Sequence, residues 1–184
     1  MQQVVVGVLL VCGFMTFGAF SLAVRLHFKS SKMPTGMKLI SLVSVVGFAL
    51  FTYFSLSDIR PMVMSAISTA IILSSAALFT WSIVTTRDHH FKLAFDPATP
   101  NGICSTGPFR YVRHPFYLSY IVFWAGAYVG TLSLAVLVVA IILINLYTYA
   151  ALAEEAAFSQ SDLNGQYAIY RQRTGFIIPR LVSM

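Results

Sequence analysis

Apolar runs long enough to cross a lipid bilayer fill most of this chain and confine its charged residues to the gaps between them. Of the 184 residues, 58% are hydrophobic and only 10% are charged, and the mean hydropathy is +0.78. A soluble domain averages about 25% charged residues. The composition therefore predicts an integral membrane protein, and the length is that of a single domain, residues 1–184.

A membrane-spanning helix needs about 20 consecutive, mostly apolar residues. By this measure the sequence predicts five spans, at about residues 4–24, 36–56, 61–85, 115–129 and 132–152. The last two come from one run that is too long for a single helix, and Gly126, Gly130 and Thr131 indicate a tight hairpin near its middle. The predicted fold class is all-α, a bundle with a three-helix N-terminal part, residues 1–85, and a C-terminal part, residues 86–184.

Basic residues are distributed unequally on the two sides of these spans. Eleven of the twelve Lys and Arg lie in or at the edge of the gaps after spans one and three or after span five, and only Arg60 lies in the gap after span two. Because cytoplasmic loops carry the excess of Lys and Arg, we expect the N-terminus outside and the C-terminus inside. Basic residues that flank the membrane account for the net charge of +6, so we expect no nucleic-acid partner.

Small and polar residues inside the spans predict close packing of helices. Spans two and three contain Gly47, Ser68 and Ser75 among others, and such residues let helices approach closely in lipid. Asn145 in the fifth span is polar at membrane depth. We expect it to hydrogen-bond to another helix or, as the alternative, to face a ligand cavity.

No metal site is expected. Cys12 and Cys104 should lie at different depths, which argues against a disulfide between them. Adjacent histidines such as His89-His90 cannot easily face one ion from a helix, and no third ligand is evident.

The segment 107–117, Gly-Pro-Phe-Arg-Tyr-Val-Arg-His-Pro-Phe-Tyr, brings charges and aromatic rings directly before the fourth span. Charges held against a membrane-length segment are costly and usually mark a site. Pro115 suits the first turn of a helix, so Arg113 and His114 should lie at a helix N-terminus, where free N–H groups favour an anionic ligand. The alternative is that Arg110 and Arg113 only anchor the helix at lipid headgroups.

Two adjacent glutamates, Glu154 and Glu155, stand at the end of the fifth span. Successive side chains of a helix point about 100° apart, so the two carboxylates require different partners. Arg110, Arg113 or a cationic ligand could supply them, and a solvated helix end is the alternative. Only six residues of the chain are acidic, and the position of these two against the membrane favours partners.

Residues 100–180 resemble the isoprenylcysteine carboxyl methyltransferase and phospholipid methyltransferase family. The resemblance is carried by residues 103–117, by Glu154-Glu155, by Tyr167 and Tyr170, and by residues 174–179. It implies S-adenosylmethionine as methyl donor, with S-adenosylhomocysteine as product, held in a cytoplasmic pocket at the end of the bundle. It also implies a lipid-like acceptor that enters from the bilayer. The residues implied to bind the cofactor are Asn101, Gly102, Ile103, Cys104, Phe109, His114, Pro115, Phe116, Tyr117 and Glu155.

Two further residues are expected to act on the acceptor, given this resemblance. Arg113 would position a carboxylate acceptor, which is ionised at neutral pH and needs no general base. Glu154 would be the general base for an amine acceptor. A carboxylate, as in isoprenylcysteine carboxyl O-methylation, is the first expectation, and phospholipid N-methylation is the alternative.

Two other classes of protein remain open on the sequence. One is a small membrane reductase of the sterol-reductase type that uses NADPH, and the other is a non-catalytic membrane bundle. The methyltransferase assignment requires the start of the fourth span and the end of the fifth to meet on the same side of the membrane.

Overall fold

The computed structural model describes residues 1–26, 33–57, 61–87 and 102–180. Its helices are α1 (Gln2–Leu26), α2 (Thr35–Ser57), α3 (Met62–Thr85), α4 (Pro115–Thr131), α5 (Leu134–Ser159) and α6 (Asn164–Arg173), with a 3₁₀ turn at Gly107–Arg110. Within the described residues no strand forms, and the one extended pairing is an isolated parallel bridge between Val112 and Gly175. The all-α prediction is confirmed for this part of the chain.

Four helices, α1, α2, α3 and α5, are long and apolar enough to cross a membrane by length and composition. This agrees with a multi-pass integral membrane protein. Helix α4 has 17 residues, which is short for a crossing that needs about 20. The fifth span and the orientation in the membrane therefore stay predictions.

The turn between α4 and α5 lies at Leu132, not at the glycines of the apolar run. Gly126 and Gly130 lie within α4, and each faces α3 at a point where a side chain has no room. A Cβ on Gly126 would lie 3.0 Å from Ile72 Cγ1, and one on Gly130 would lie 2.6 Å from Ser68 Oγ. The hairpin is present as predicted, but the role assigned to the glycines was wrong, because they permit close packing rather than break the helix.

Serine hydroxyls join α3 to α4. Ser68 Oγ donates to the Gly126 carbonyl and Ser75 Oγ donates to the Ser119 carbonyl, both at 2.7 Å and both buried. The partners advance in opposite directions along the two helices, so the pair is antiparallel. Interhelical hydrogen bonds and small residues hold helices together where lipid removes the hydrophobic drive. The packing role predicted for these serines is confirmed.

Contacts between aromatic rings show which helix ends lie together at one end of the bundle. Phe20, near the end of α1, meets Phe79 near the end of α3 with ring centroids 4.6 Å apart. It also meets Tyr120 near the start of α4 at 4.7 Å. Tyr117 of α4 stacks on Tyr147 of α5 at 5.9 Å. The Tyr117 hydroxyl also donates to Glu154 near the end of α5. The ends of α1, α3 and α5 and the start of α4 are therefore together.

Asn145 does not make the helix-to-helix hydrogen bond that we expected within the described residues. Its Nδ2 donates to the Ile141 carbonyl of its own helix at 2.8 Å, and the side chain is exposed. Polar side chains in helices commonly bond backward in this way. The amide faces outward from the bundle, so the alternative of an internal ligand cavity is not met either.

Candidate functional site

Charged side chains from three separate segments meet where α4 begins and α5 ends. We name Arg113, His114, Glu154, Glu155 and Arg171 the charged cluster. His114 caps the N-terminus of α4, the two glutamates lie in the last two turns of α5, and Arg171 belongs to α6. The two helix ends that the sequence required to meet are thus in contact.

Arg113 and Glu155 form a buried ion pair. Arg113 Nε lies 2.6 Å from Glu155 Oε1, and each side chain is only 9% exposed. Arg113 Nη1 also donates to the Thr174 carbonyl at 2.6 Å and to the Arg171 carbonyl at 3.3 Å. The guanidinium carbon lies 5.6 Å from the centre of the Phe176 ring. Groups of this chain therefore surround the guanidinium, which in turn fixes the Glu155 carboxylate.

His114 lies between the two glutamates. Its Nδ1 is 3.5 Å from Glu154 Oε2, and its Nε2 is 3.4 Å from Glu155 Oε1. Among the described residues Nε2 is buried and makes no hydrogen bond. Burial lowers the pKa of His114, but the two nearby carboxylates outweigh burial and raise the pKa above the usual 6.5. The imidazole is thus more readily protonated than a free histidine.

The two adjacent glutamates have different surroundings, as their angular separation predicted. Glu155 is 9% exposed and faces Arg113, whereas Glu154 is 39% exposed. Glu154 accepts a hydrogen bond from the Tyr117 hydroxyl in the first turn of α4. Glu154 is therefore the carboxylate of the cluster with the more accessible oxygen atoms.

The segment that follows α6 closes the cluster through backbone hydrogen bonds. Arg113 N donates to the Gly175 carbonyl at 2.8 Å, and His114 N donates to the Phe176 carbonyl at 3.3 Å. Gly175 N donates in turn to the Tyr111 carbonyl at 3.1 Å. Carbonyls of the chain itself therefore occupy the backbone N–H groups of Arg113 and His114. An anionic group at the start of α4 stays a prediction.

Three more of the residues implied to bind a cofactor pack beside the cluster. Phe109 is buried in the 3₁₀ turn, and its carbonyl accepts a hydrogen bond from Tyr170 Oη at 2.7 Å. Pro115 is fully buried in the first turn of α4. The ring of Phe116 lies edge-on to that of Phe109, with centroids 6.2 Å apart. These residues form an apolar wall within one or two turns of His114.

The loop that precedes Phe109 is also implied to bind the cofactor, and the structure describes it only from residue 102 onward. Cys104 is buried, while Gly102 and Ile103 are partly exposed. Asn101 and the pair His89-His90 lie outside the described residues. In the part of the chain that is described, no group of three or more His, Cys, Asp or Glu residues is arranged to hold a metal ion.

Sequence reasoning missed the contribution of the C-terminal segment to the cluster. Arg171 Nε lies 3.4 Å from Glu155 Oε2, and its side chain is 51% exposed. An ion pair this exposed adds little stability, so Arg171 is the most easily displaced member. The sequence did offer one sign of this contribution, since residues 174–179 take part in the family resemblance. The resemblance gave that segment no role, however.

The fold and the cluster together define a multi-pass membrane protein with a buried ionic centre at one end of its bundle. The family described as "Protein of unknown function (DUF1295)" matches residues 36–174. The chain therefore belongs to that family, and the matched range contains α2 except its first residue, the whole of α3 through α6, and every member of the charged cluster. No curated protein and no solved structure matches the chain.

Proposed function

We propose that this protein is a membrane methyltransferase that moves a methyl group from S-adenosylmethionine to a lipid-like acceptor. The charged cluster is the observation that carries the proposal. Arg113 and Glu155, 42 residues apart in the chain, are brought together and buried beside a membrane helix. Ionisable groups in such a position are expensive and usually functional. The resemblance of residues 100–180 to the methyltransferase family supplies the ligand chemistry.

The charged cluster and the aromatic rings beside it fit the charged and aromatic parts of the cofactor. In the described structure, Glu155 Oε2 contacts the half-exposed Arg171 at 3.4 Å, a contact that the ammonium of a ligand can replace. His114 Nε2 is buried and makes no hydrogen bond among the described residues, so it can serve as a polar partner. The rings of Phe116 and Tyr117 are suited to stacking and to contact with a cationic sulfur.

Alignment and exclusion of water are the contributions of the protein in this proposal. When bound, S-adenosylmethionine would supply a methyl group that leaves sulfur as an electron pair of the acceptor attacks it, with S-adenosylhomocysteine remaining. Arg113 holds the Glu155 carboxylate at 2.6 Å, so the oxygen that faces the ligand keeps its place. The buried Phe109 and Pro115 shield the reacting atoms from solvent.

Two acceptor chemistries are compatible with the cluster. The resemblance favours a carboxylate positioned by Arg113. That guanidinium is already bonded to Glu155 and to the Thr174 carbonyl, both at 2.6 Å, so an acceptor carboxylate has to compete with them. The accessible Glu154 favours an amine, since its carboxylate can take the proton that an amine must lose before it attacks. Phospholipid N-methylation is therefore the second candidate.

We assign the charged cluster to the cytoplasmic side of the membrane. Arg25 lies in the last turn of α1, Lys38 in the first turn of α2 and Arg87 just after α3. The contacts of α1 with α2 and α3 put these helix ends at the same end of the bundle as the cluster. Loops rich in Lys and Arg face the cytoplasm. S-Adenosylmethionine is then supplied from the cytoplasm, while the acceptor arrives within the bilayer.

Calorimetry on purified protein in detergent tests the proposal. We expect S-adenosylhomocysteine to bind, and to bind at least about tenfold more weakly to the variants Glu155→Gln and His114→Ala, since each removes a charge-assisted contact. Asp162→Asn is the control, because Asp162 is acidic but exposed and outside the cluster. Binding of NADPH in place of S-adenosylhomocysteine would favour a membrane reductase, and binding of neither would favour a non-catalytic bundle.

Mass spectrometry of membrane lipids identifies the acceptor class. Cells that express the protein should contain a lipid that is heavier by one methylene group than its counterpart in cells that express Glu155→Gln. A methyl ester is cleaved by mild base, whereas an N-methyl amine is not. Base treatment of the product therefore separates the carboxylate acceptor from the amine acceptor.

A further inference from the structure

Asn145 is a polar side chain on the outer surface of the most apolar of the candidate spans. It lies near the middle of α5, whose hydropathy is 2.3, and its side chain is exposed. A primary amide can donate two hydrogen bonds and accept two. Among the described residues the amide makes one, from Nδ2 to the Ile141 carbonyl. Lipid tails offer no partner for the remaining donor or for Oδ1, and unsatisfied polar groups are costly in hydrocarbon.

The residues around Asn145 on this surface form a stripe along the helix. Val138, Ile141, Ile142, Tyr149 and Leu152 are exposed, largely apolar side chains, and they lie three, four or seven positions from Asn145. Spacings of three, four and seven place residues on one face of a helix. A largely apolar stripe that carries one amide side chain is the pattern that lets two helices pack together in a single register.

We infer that a second copy of this chain packs against this face, with the two Asn145 side chains hydrogen-bonded to each other. Two copies in one membrane have the same topology, so Asn145 lies at the same depth in both. A two-fold axis along the membrane normal then brings identical faces of α5 together. Each amide donates to Oδ1 of the other, which satisfies both groups in lipid. A different protein fits only if it carries a polar residue at that same depth.

The dimer leaves the charged cluster of each copy intact, because the inward face of α5 is the one that supports it. Tyr147, Ala150, Ala151 and Glu155 are buried within the monomer, whereas Asn145 points away from them. The inference is therefore independent of the proposed methyl transfer. Either can fail without the other, since dimerisation is measured without any ligand.

Cysteine cross-linking in native membranes tests the geometry. In a background of Cys12→Ala and Cys104→Ala, the variant Ile142→Cys should form disulfide-linked dimers on mild oxidation. Ile67→Cys is a matched control, because Ile67 and Ile142 are both 44% exposed, and Ile67 lies on another helix, in the second turn of α3. Dimers from Ile142→Cys but not from Ile67→Cys support the inference. No dimers from Ile142→Cys, or equal yields from both, overturn it.

Energy transfer between labelled copies in dilute lipid vesicles tests Asn145 itself. Asn145→Leu should raise the dimer dissociation constant by roughly 5- to 30-fold, as expected for one interhelical polar contact in lipid. Asn145→Gln should keep most of the affinity because it retains the amide. Leucine removes a polar group from lipid, so the variant is expected to fold. An unchanged dissociation constant in Asn145→Leu would show that lipid, not a second copy, covers this face.

Discussion

The membrane-embedded middle of the bundle and its charged end are held together in different ways. In the middle, neutral groups make the contacts, such as the hydroxyls of Ser68 and Ser75 on carbonyls of the next helix along the chain. At the charged end, ion pairs and carbonyls join segments that are far apart in sequence. Arg113 contacts residues 42, 58 and 61 positions away.

This difference indicates where a single substitution costs most. In the middle, each contact is one of many similar ones, and lipid can fill part of any space that is lost. At the charged end, removal of one partner leaves a buried charge alone, and its desolvation is no longer compensated. The charged end is thus the part whose groups must all be present, which is what a ligand-binding centre requires.

Loss of the Glu155 charge is expected to have the largest effect. The variant Glu155→Gln leaves the buried Arg113 guanidinium without its carboxylate, which should cost about 3–5 kcal/mol of unfolding free energy. Glu154→Gln is the matched control, because that side chain is 39% exposed, and its loss should cost about 1 kcal/mol or less. Reversible unfolding in mixed detergent measures both. Equal losses in the two variants would mean that the Arg113 ion pair is not specially important.

Deprotonation of His114 removes one charge from the same cluster. Its pKa is raised in the folded state, so protonated His114 stabilises the protein fully below the ordinary pKa of 6.5. That stabilisation is lost as the pH rises through the raised value. We expect the unfolding temperature in detergent to fall as the pH is raised from 6.5 through the raised pKa of His114, and this slope to be absent in His114→Gln. A wild-type unfolding temperature that rises over the same interval would contradict the assignment.

Crowding at a glycine in the middle of the bundle should have the next largest effect. A Cβ on Gly47 would lie 2.5 Å from Val139 Cγ1 and 2.8 Å from Trp124 Cη2, so Gly47→Ala should cost about 1–3 kcal/mol through overpacking. Gly18→Ala in α1 is the control, because its Cβ would meet nothing within 4 Å. That variant should gain about 0.5–1 kcal/mol from helix propensity. The same detergent unfolding assay compares them, and equal effects would disprove the close contact of α2 with α4 and α5.

The sequence predicts the helices of the middle well, because run length is a direct signal in a membrane protein. The predicted start of the fourth span at Pro115 is also the start of α4. Gly126 shows the limit of that signal. A glycine that breaks a helix and a glycine that admits a neighbouring helix look the same in sequence, and only the proximity of Ile72 decides between them.

At the charged end, the sequence predicts which charged residues matter but not the backbone hydrogen bonds that hold the segments together. Scarcity of charge predicts partners for Glu154 and Glu155 but leaves Arg110, Arg113 and a cationic ligand open, and only the structure pairs Glu155 with Arg113. The docking of Gly175 beside Val112 uses main-chain groups, which every residue possesses and which leave no pattern. A glycine is needed at position 175, because a Cβ there would collide with the Ile178 carbonyl. The sequence shows the glycine but not the collision, so it does not reveal this docking.

Removal of one interhelical hydroxyl should have the smallest effect. Ser75→Ala deletes the buried hydrogen bond to the Ser119 carbonyl, and such bonds in lipid average about 0.6 kcal/mol with a maximum of about 1.7. Ser74→Ala is the matched control on the adjacent position, since Ser74 Oγ is exposed and bonds within its own helix to the Ile71 carbonyl. The control should change stability by less than about 0.5 kcal/mol. A loss in Ser75→Ala as large as that in Glu155→Gln would abolish the distinction between the two regions, because a neutral contact in the middle would then be as indispensable as a buried charge at the end.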